Sequence, residues 1–218
     1  MQSMAKLRYI FAVLVLASYP PAVLLWVAIH PFASFWRKLG PVWTYVLLGI
    51  PVAAYMVGVW LVRDALLGTD LGTSVITIIL AAMSFAAGAL LNHQRRKHLN
   101  FVTLSGIPEL SQAQYPGKLF TDGIYGRIRN PRYVEVNFFT LSYTLFANYL
   151  GAYLMLLLSL PLLYLVVILE ERELRQRFGE AYEEYCRQVP RFLPRMRPRR
   201  NQGEHERQTG DGLQKEKK

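Results

Sequence analysis

Long apolar runs alternate with short polar segments along the chain. The runs cover residues 9–29, 42–62, 71–91, 134–149 and 151–169. A helix needs about 20 mostly apolar residues to cross a bilayer, so the pattern predicts about five transmembrane helices. The last two runs are joined by a tight, uncharged turn around Asn148 and Gly151, which is typical of a helical hairpin. We therefore predict an all-α, polytopic integral membrane protein.

Prolines interrupt the first two runs. Pro20 and Pro21 lie in the first and Pro51 in the second. The charged start at Lys6 and Arg8 is also typical of a signal peptide. We favour a kinked transmembrane helix, because apolar residues continue past the prolines and no small-residue cleavage site follows.

Small side chains line the third run. Membrane helices approach each other closely where such residues face a neighbour. The set consists of Ala81, Ala82, Ser84, Ala86, Ala87 and Gly88. We therefore expect this helix to pack tightly against another.

Basic residues flank the apolar runs and fill the C-terminal tail. The net charge is +10, while 52% of the residues are hydrophobic. The positive-inside rule explains most of these charges, so we expect no nucleic-acid partner. The rule places the cluster at 93–98 and the C-terminus in the cytosol, and it places the N-terminus outside. Lys6 and Arg8 then lie on the side that the rule disfavours.

A metal site is not expected. Cys186 is the single cysteine, which excludes an intramolecular disulfide framework and a cysteine-built zinc site. Of the four histidines, only His93 and His98 are close in sequence, and their spacing is a poor match to one helical face.

A cationic, glycine-punctuated segment at 123–133 precedes the hairpin. Asn130 followed by Pro131 predicts a helix start, with Asn capping free N–H groups and Pro at the first helical position. Arg127, Arg129 and Arg132 surround that start. A helix N-terminus beside arginines is suited to hold an anionic group.

A second charged cluster follows the last apolar run. Glu171 with Arg175, and Glu173 with Arg177, have the spacing of solvated ion pairs on a continuing helix. Glu170 has no such partner on its own helix. An unpaired carboxylate at the membrane edge is costly, so we expect a cationic ligand there. Together, the two clusters suit a zwitterionic amino-acid group.

The two clusters and the hairpin between them resemble the C-terminal signature of the isoprenylcysteine carboxyl methyltransferase and phospholipid methyltransferase superfamily. The resemblance covers residues 123–194, and its ordered combination is specific. Its residues are Gly123, Tyr125, Arg129, Asn130, Pro131, Tyr133, Glu170, Glu171, Phe178, Gly179, Glu180, Tyr182, Tyr185, Val189, Pro190 and Pro194.

The resemblance implies S-adenosylmethionine as cofactor and a lipophilic or lipid acceptor in the membrane. It gives a catalytic role to Arg129, Asn130 and Glu170, with the segment at 182–194 closing over the cofactor. The cofactor-binding residues would be Gly123, Tyr125, Arg129, Asn130, Pro131, Tyr133, Glu170, Glu171, Tyr182, Tyr185 and Pro190.

The apolar runs, the breakers and the charge pattern also divide the chain. Residues 1–98 would be N-terminal transmembrane helices, residues 99–194 the catalytic region with an interfacial connector, and residues 195–218 a disordered basic tail. We expect a protein of the bacterial cytoplasmic (inner) membrane. The oligomeric state stays open.

Two residues depart from the superfamily pattern. Asn130 replaces the usual histidine, so it can donate a hydrogen bond but cannot act as a base. This favours an acceptor that is already deprotonated, such as a carboxylate. Glu135 replaces a small residue and is expected to narrow the mouth of the site or to change the acceptor.

Two other functions also fit the sequence. Residues 185–190 also resemble the C-terminal end of membrane sterol reductases, which use NADPH. The two departures would also suit a non-catalytic membrane scaffold. A transporter is disfavoured because no apolar run carries a charge at its middle.

Overall fold

The structure is a computed structural model that describes residues 2–29, 31–96 and 119–193. The helices are α1 (Gln2–Ile29), α2 (Ala33–Leu39), α3 (Pro41–Leu67), α4 (Val75–Arg96), α5 (Pro131–Ala147), α6 (Leu150–Phe178) and α7 (Glu180–Gln188). A 3₁₀ turn covers Gly123–Gly126. Apart from an isolated bridge between Asp70 and Tyr149, these residues form no β structure. The predicted all-α class is confirmed, whereas most of the predicted connector and the tail lie outside the described residues.

Each predicted apolar run forms a helix. By length and composition, α1, α3, α4 and α6 can cross a membrane. Four of the five predicted spans therefore meet this criterion. Helix α5, the remaining one, has only 17 residues, and it packs against α1, α4 and α6 in the bundle. Helix α4 begins at Val75 rather than at residue 71, because Gly72 adopts a positive φ of 81° in the loop before it. Helix α6 continues past the apolar run to Phe178, as expected.

The prolines do not end the helices that contain them. Helix α1 runs through Pro20 and Pro21, and α3 runs through Pro51. The non-helical residue in α3 is Val62, with φ −113° and ψ 15°. It lies beside Arg63, which donates to the hydroxyl of Tyr9 at 2.8 Å.

Helices α4 and α5 pack closely along the predicted small residues. A Cβ atom on Gly88 would lie 3.3 Å from the Phe139 ring. The Ser84 hydroxyl donates to the Phe138 carbonyl, and the Ser142 hydroxyl donates to the Ala81 carbonyl, each at 2.8 Å. Such hydroxyl contacts join membrane helices at small-residue interfaces, so the predicted tight packing is confirmed.

Arg8 holds the end of the bundle that carries the hairpin turn. Its Nε donates to the Ala147 carbonyl at 3.0 Å, and its Nη2 donates to the Asn148 carbonyl and to Asp70. Asn148 makes the turn in the left-handed conformation, with φ 54°. Arg8 is buried, so it is a structural residue of the bundle.

Candidate functional site

The opposite end of the bundle, here called the site end, joins the cationic segment to the chain after α7. The backbone N–H of Arg129 donates to the Pro190 carbonyl at 2.9 Å, and that of Asn130 donates to the Arg191 carbonyl at 3.2 Å. Gly123 starts the 3₁₀ turn before them with a φ of 59°. The C-terminal segment therefore packs directly on the residues that open α5.

Helix α5 begins at Pro131, as the sequence predicts. Asn130 occupies the residue before it but makes no side-chain cap. Its Nδ2 instead donates to Oε1 of Glu171 at 2.9 Å. The predicted cap is wrong because a hydrogen bond to a buried carboxylate is stronger than one to a backbone N–H.

Glu171 is the centre of a buried ion cluster. Its side chain is 0% exposed. Arg191 donates to both carboxylate oxygens, at 3.0 and 2.7 Å. Nη2 of Arg129 lies 3.5 Å and Nη2 of Arg175 lies 3.7 Å from the same carboxylate. The predicted Glu171–Arg175 pair is present, but the predicted exposure of Glu171 to water is wrong, because guanidinium groups enclose the carboxylate and offset its loss of water.

Glu170 faces a different neighbour. Adjacent helical residues point about 100° apart, and Glu170 accepts a hydrogen bond from the hydroxyl of buried Tyr133 on α5. The side chain is half-buried. The sequence correctly indicates that Glu170 has no partner on its own helix.

Arg129 carries an uncommitted donor. Its side chain is 10% exposed, and its Nε has no hydrogen-bond partner among the described residues. A buried N–H without an acceptor is costly, and more so on a charged group. The site end therefore holds a guanidinium N–H that an anionic ligand can accept from.

Three tyrosines lie close together at the site end. Tyr182 and Tyr185 are buried, with ring centroids 5.8 Å apart, and the Tyr185 hydroxyl donates to the Tyr125 carbonyl at 2.7 Å. Burial raises the pKa of Tyr125, Tyr182 and Tyr185 above their ordinary value. Their hydroxyls are therefore protonated at neutral pH.

The predicted site residues lie together at the site end. Two arginines from the same segment have other surroundings: Arg127 is exposed, and the guanidinium of Arg132 lies 4.8 Å from the centre of the Trp26 ring. Among the described residues, no group of three or more His, Cys, Asp or Glu side chains could hold a metal.

The sequence does not predict a second ion pair beside this site. Glu135 is buried and accepts from Arg95 through Nε at 2.6 Å and Nη2 at 3.0 Å. Asn92 adds a hydrogen bond from Nδ2 at 2.6 Å. The signal was the carboxylate itself, because an acid inside an apolar helix requires a cationic partner. In the sequence alone, the positive-inside rule already explains Arg95, so no partner is expected for it.

Arg191 is also missed by the sequence. The segment at 189–194 contains Pro190 and Pro194 and predicts only an extended segment that ends the ordered part of the chain. Nothing in its spacing connects Arg191 to Glu171. The pairing arises because the chain folds back after α7.

Comparison with known protein families agrees with these observations. The model of the family described as phospholipid methyltransferase matches residues 76–181. No curated protein and no solved structure matches the chain. The matched region covers α4, α5 and α6 with Arg129, Glu170 and Glu171. This family is part of the isoprenylcysteine carboxyl methyltransferase and phospholipid methyltransferase superfamily that the motifs of the chain resemble.

Proposed function

We propose that the chain transfers a methyl group from S-adenosylmethionine to a lipophilic or membrane-borne acceptor at the cytosolic membrane face. The observation that carries the proposal is the uncommitted Nε of Arg129, placed at the same end of the bundle as Glu170. In this arrangement, the buried Nε of Arg129 would donate to a carboxylate of the ligand. The half-buried carboxylate of Glu170 would accept from an ammonium group of the ligand.

The residues present fit the amino-acid part of S-adenosylmethionine. Arg129 would donate from Nε to the carboxylate of that group, and Glu170 would accept from its ammonium. Glu171 already has Arg191, Arg129 and Asn130 around it. Its part would be to hold Arg129 and Asn130 in place.

When bound there, S-adenosylmethionine supplies a methyl group on a sulfonium. In-line displacement at such a carbon needs aligned partners and little water. Tyr125, Tyr182 and Tyr185 would line the site and exclude water. Since their hydroxyls are protonated at neutral pH, none of them is suited to take a proton from the acceptor. An acceptor that is already anionic, such as an isoprenylcysteine-like carboxylate, therefore fits better than a protonated amine.

Calorimetric titration of the detergent-purified full chain with S-adenosylhomocysteine tests the proposal. We expect saturable binding, weakened about tenfold or more in Arg129→Ala and in Glu170→Ala, because each loses a charge-assisted hydrogen bond. Arg172→Ala is the matched control, since Arg172 is exposed on α6 next to the cluster. It should bind as the wild type does.

Arg129→Lys keeps a positive charge near Glu171 and removes the Nε donor. It therefore separates loss of the ligand contact from loss of the fold, and we expect a folded protein with weakened binding. Binding of NADPH but not of S-adenosylhomocysteine by the wild type would favour the reductase. Absence of both ligands from a folded protein would favour the scaffold.

A further inference from the structure

The Arg95–Glu135 pair lies at the interface of α4 and α5, separate from the Glu171 cluster. Both charged side chains are 6% exposed. Arg95 and Asn92 together occupy both carboxylate oxygens of Glu135. The carboxylate is therefore satisfied, and the guanidinium uses two of its three nitrogens.

The third nitrogen, Nη1 of Arg95, has no hydrogen-bond partner among the residues that the structure describes. It is buried, and burial of an unpaired charged donor is costly. Asn92 also donates to Glu135, so this carboxylate is shared between two donors. It therefore does not fully offset the positive charge of the Arg95 guanidinium. An oxygen-bearing group is therefore expected at Nη1.

Arg95 lies next to the proposed cofactor site. The 3₁₀ turn that carries Tyr125 packs against α4. The charges of Arg95, Glu170 and Glu135 all act on the Tyr125 hydroxyl. A group bound at Nη1 of Arg95 would thus lie near the site from the α4 side.

We propose that Arg95 binds the oxyanion of the methyl acceptor, a carboxylate or a phosphate, and thereby selects acceptors that carry one. This inference rests on the proposed methyl transfer. A guanidinium matches the planar oxygens of both groups. Glu135 holds Arg95 in place through the hydrogen bonds that it accepts from Nε and Nη2.

The test uses the full chain in neutral detergent and three probes with one alkyl chain: palmitate, hexadecyl phosphate and hexadecanol. We expect palmitate or hexadecyl phosphate to raise the unfolding temperature saturably and hexadecanol not to. Whichever anion acts more strongly identifies the oxyanion, a carboxylate or a phosphate, that Arg95 binds. Arg95→Gln should weaken the response about tenfold or more.

Arg96→Gln is the matched control, because Arg96 is the exposed neighbour with the same charge. It should respond as the wild type does. Since Arg95→Gln leaves Glu135 buried without its partner, the double variant Arg95→Gln/Glu135→Gln removes both charges. It should fold, bind S-adenosylhomocysteine as the wild type does and lose the response to the anionic probes.

Three results would overturn the role of Arg95. The first is a wild type that binds S-adenosylhomocysteine but neither anionic probe, the second is an equal response of the double variant and the wild type, and the third is an equal response to hexadecanol. Failure of S-adenosylhomocysteine to bind the wild type would instead contradict the proposed methyl transfer.

Discussion

Asn130 donates a hydrogen bond from Nδ2 to Oε1 of Glu171 at 2.9 Å, between residues 41 apart in sequence. Both side chains are buried. The bond joins the residue before α5 to the C-terminal part of α6, the two helices of the hairpin. The hairpin is therefore fixed at its open end, where Arg129 and Glu170 lie, as well as at its turn.

Removing this donor should destabilise the protein. Asn130→Leu leaves one acceptor of Glu171 without its amide partner, and we expect the free energy of unfolding to fall by about 1–3 kcal/mol. Asn130→His restores the superfamily residue and keeps an N–H donor, so its loss should be smaller. Thermal unfolding in detergent measures both. Equal stability of Asn130→Leu and the wild type would show that the bond contributes little.

The pair of Arg191 with Glu171 should hold the C-terminal segment on the site. Arg191→Gln removes two charge-assisted hydrogen bonds, so we expect faster amide hydrogen exchange at residues 189–193. Arg187→Gln is the control, because its pair with Glu184 is solvent-exposed and contributes little. Unchanged exchange in Arg191→Gln would contradict this role.

Gly151 is required for the packing of the hairpin against α3. A Cβ atom there would lie 1.9 Å from the Leu66 carbonyl oxygen and 2.9 Å from the Leu67 Cα atom. Since backbone atoms cannot move aside cheaply, Gly151→Ala should abolish monodisperse protein in size-exclusion chromatography. Gly58→Ala in α3 meets nothing within 4 Å and should behave as the wild type. A monodisperse Gly151→Ala protein would show that α3 is free to shift.

Asp70 should make stability depend on pH. Desolvation opposes its ionisation, but the Gly72 N–H and the Arg8 guanidinium outweigh that effect, so the pKa of Asp70 lies below its ordinary value of 3.8. A carboxyl group whose pKa is lowered in the folded state stabilises the protein at pH values above its ordinary pKa. This stabilisation is lost as the pH falls through the folded-state pKa.

The measurement is the unfolding temperature between neutral pH and pH below 3.8. It should fall more for the wild type than for Asp70→Asn, which lacks the titrating carboxyl. Asp122→Asn, at an exposed position, should follow the wild type. The same decline in Asp70→Asn as in the wild type would refute the role of Asp70.

Local signals in the sequence predict much of the fold. The apolar runs, the Asn130–Pro131 helix start and the turn at Asn148 each depend on residues close in sequence, and each is present. The small residues facing α5 also follow from helical spacing. These features are predictable because hydrophobic burial and backbone geometry act over a few residues.

The ion pairs were not predictable in the same way. Arg8 pairs with Asp70, Arg95 with Glu135, and Arg191 with Glu171, each across a long stretch of chain. The hydrophobic periodicity of a helix does not show which distant helix supplies the ion-pair partner of its charged residue. The burial of Glu171 likewise depends on the return of the chain after α7.

The most direct test of the account is transfer of a tritiated methyl group from S-adenosylmethionine into the lipid extract of membranes that contain the full chain. We expect incorporation with the wild type and at least about tenfold less with Glu170→Ala, if one charge-assisted contact to the cofactor is lost. Arg172→Ala should match the wild type. Incorporation by Glu170→Ala equal to that of the wild type, at equal protein abundance, would contradict the proposed site.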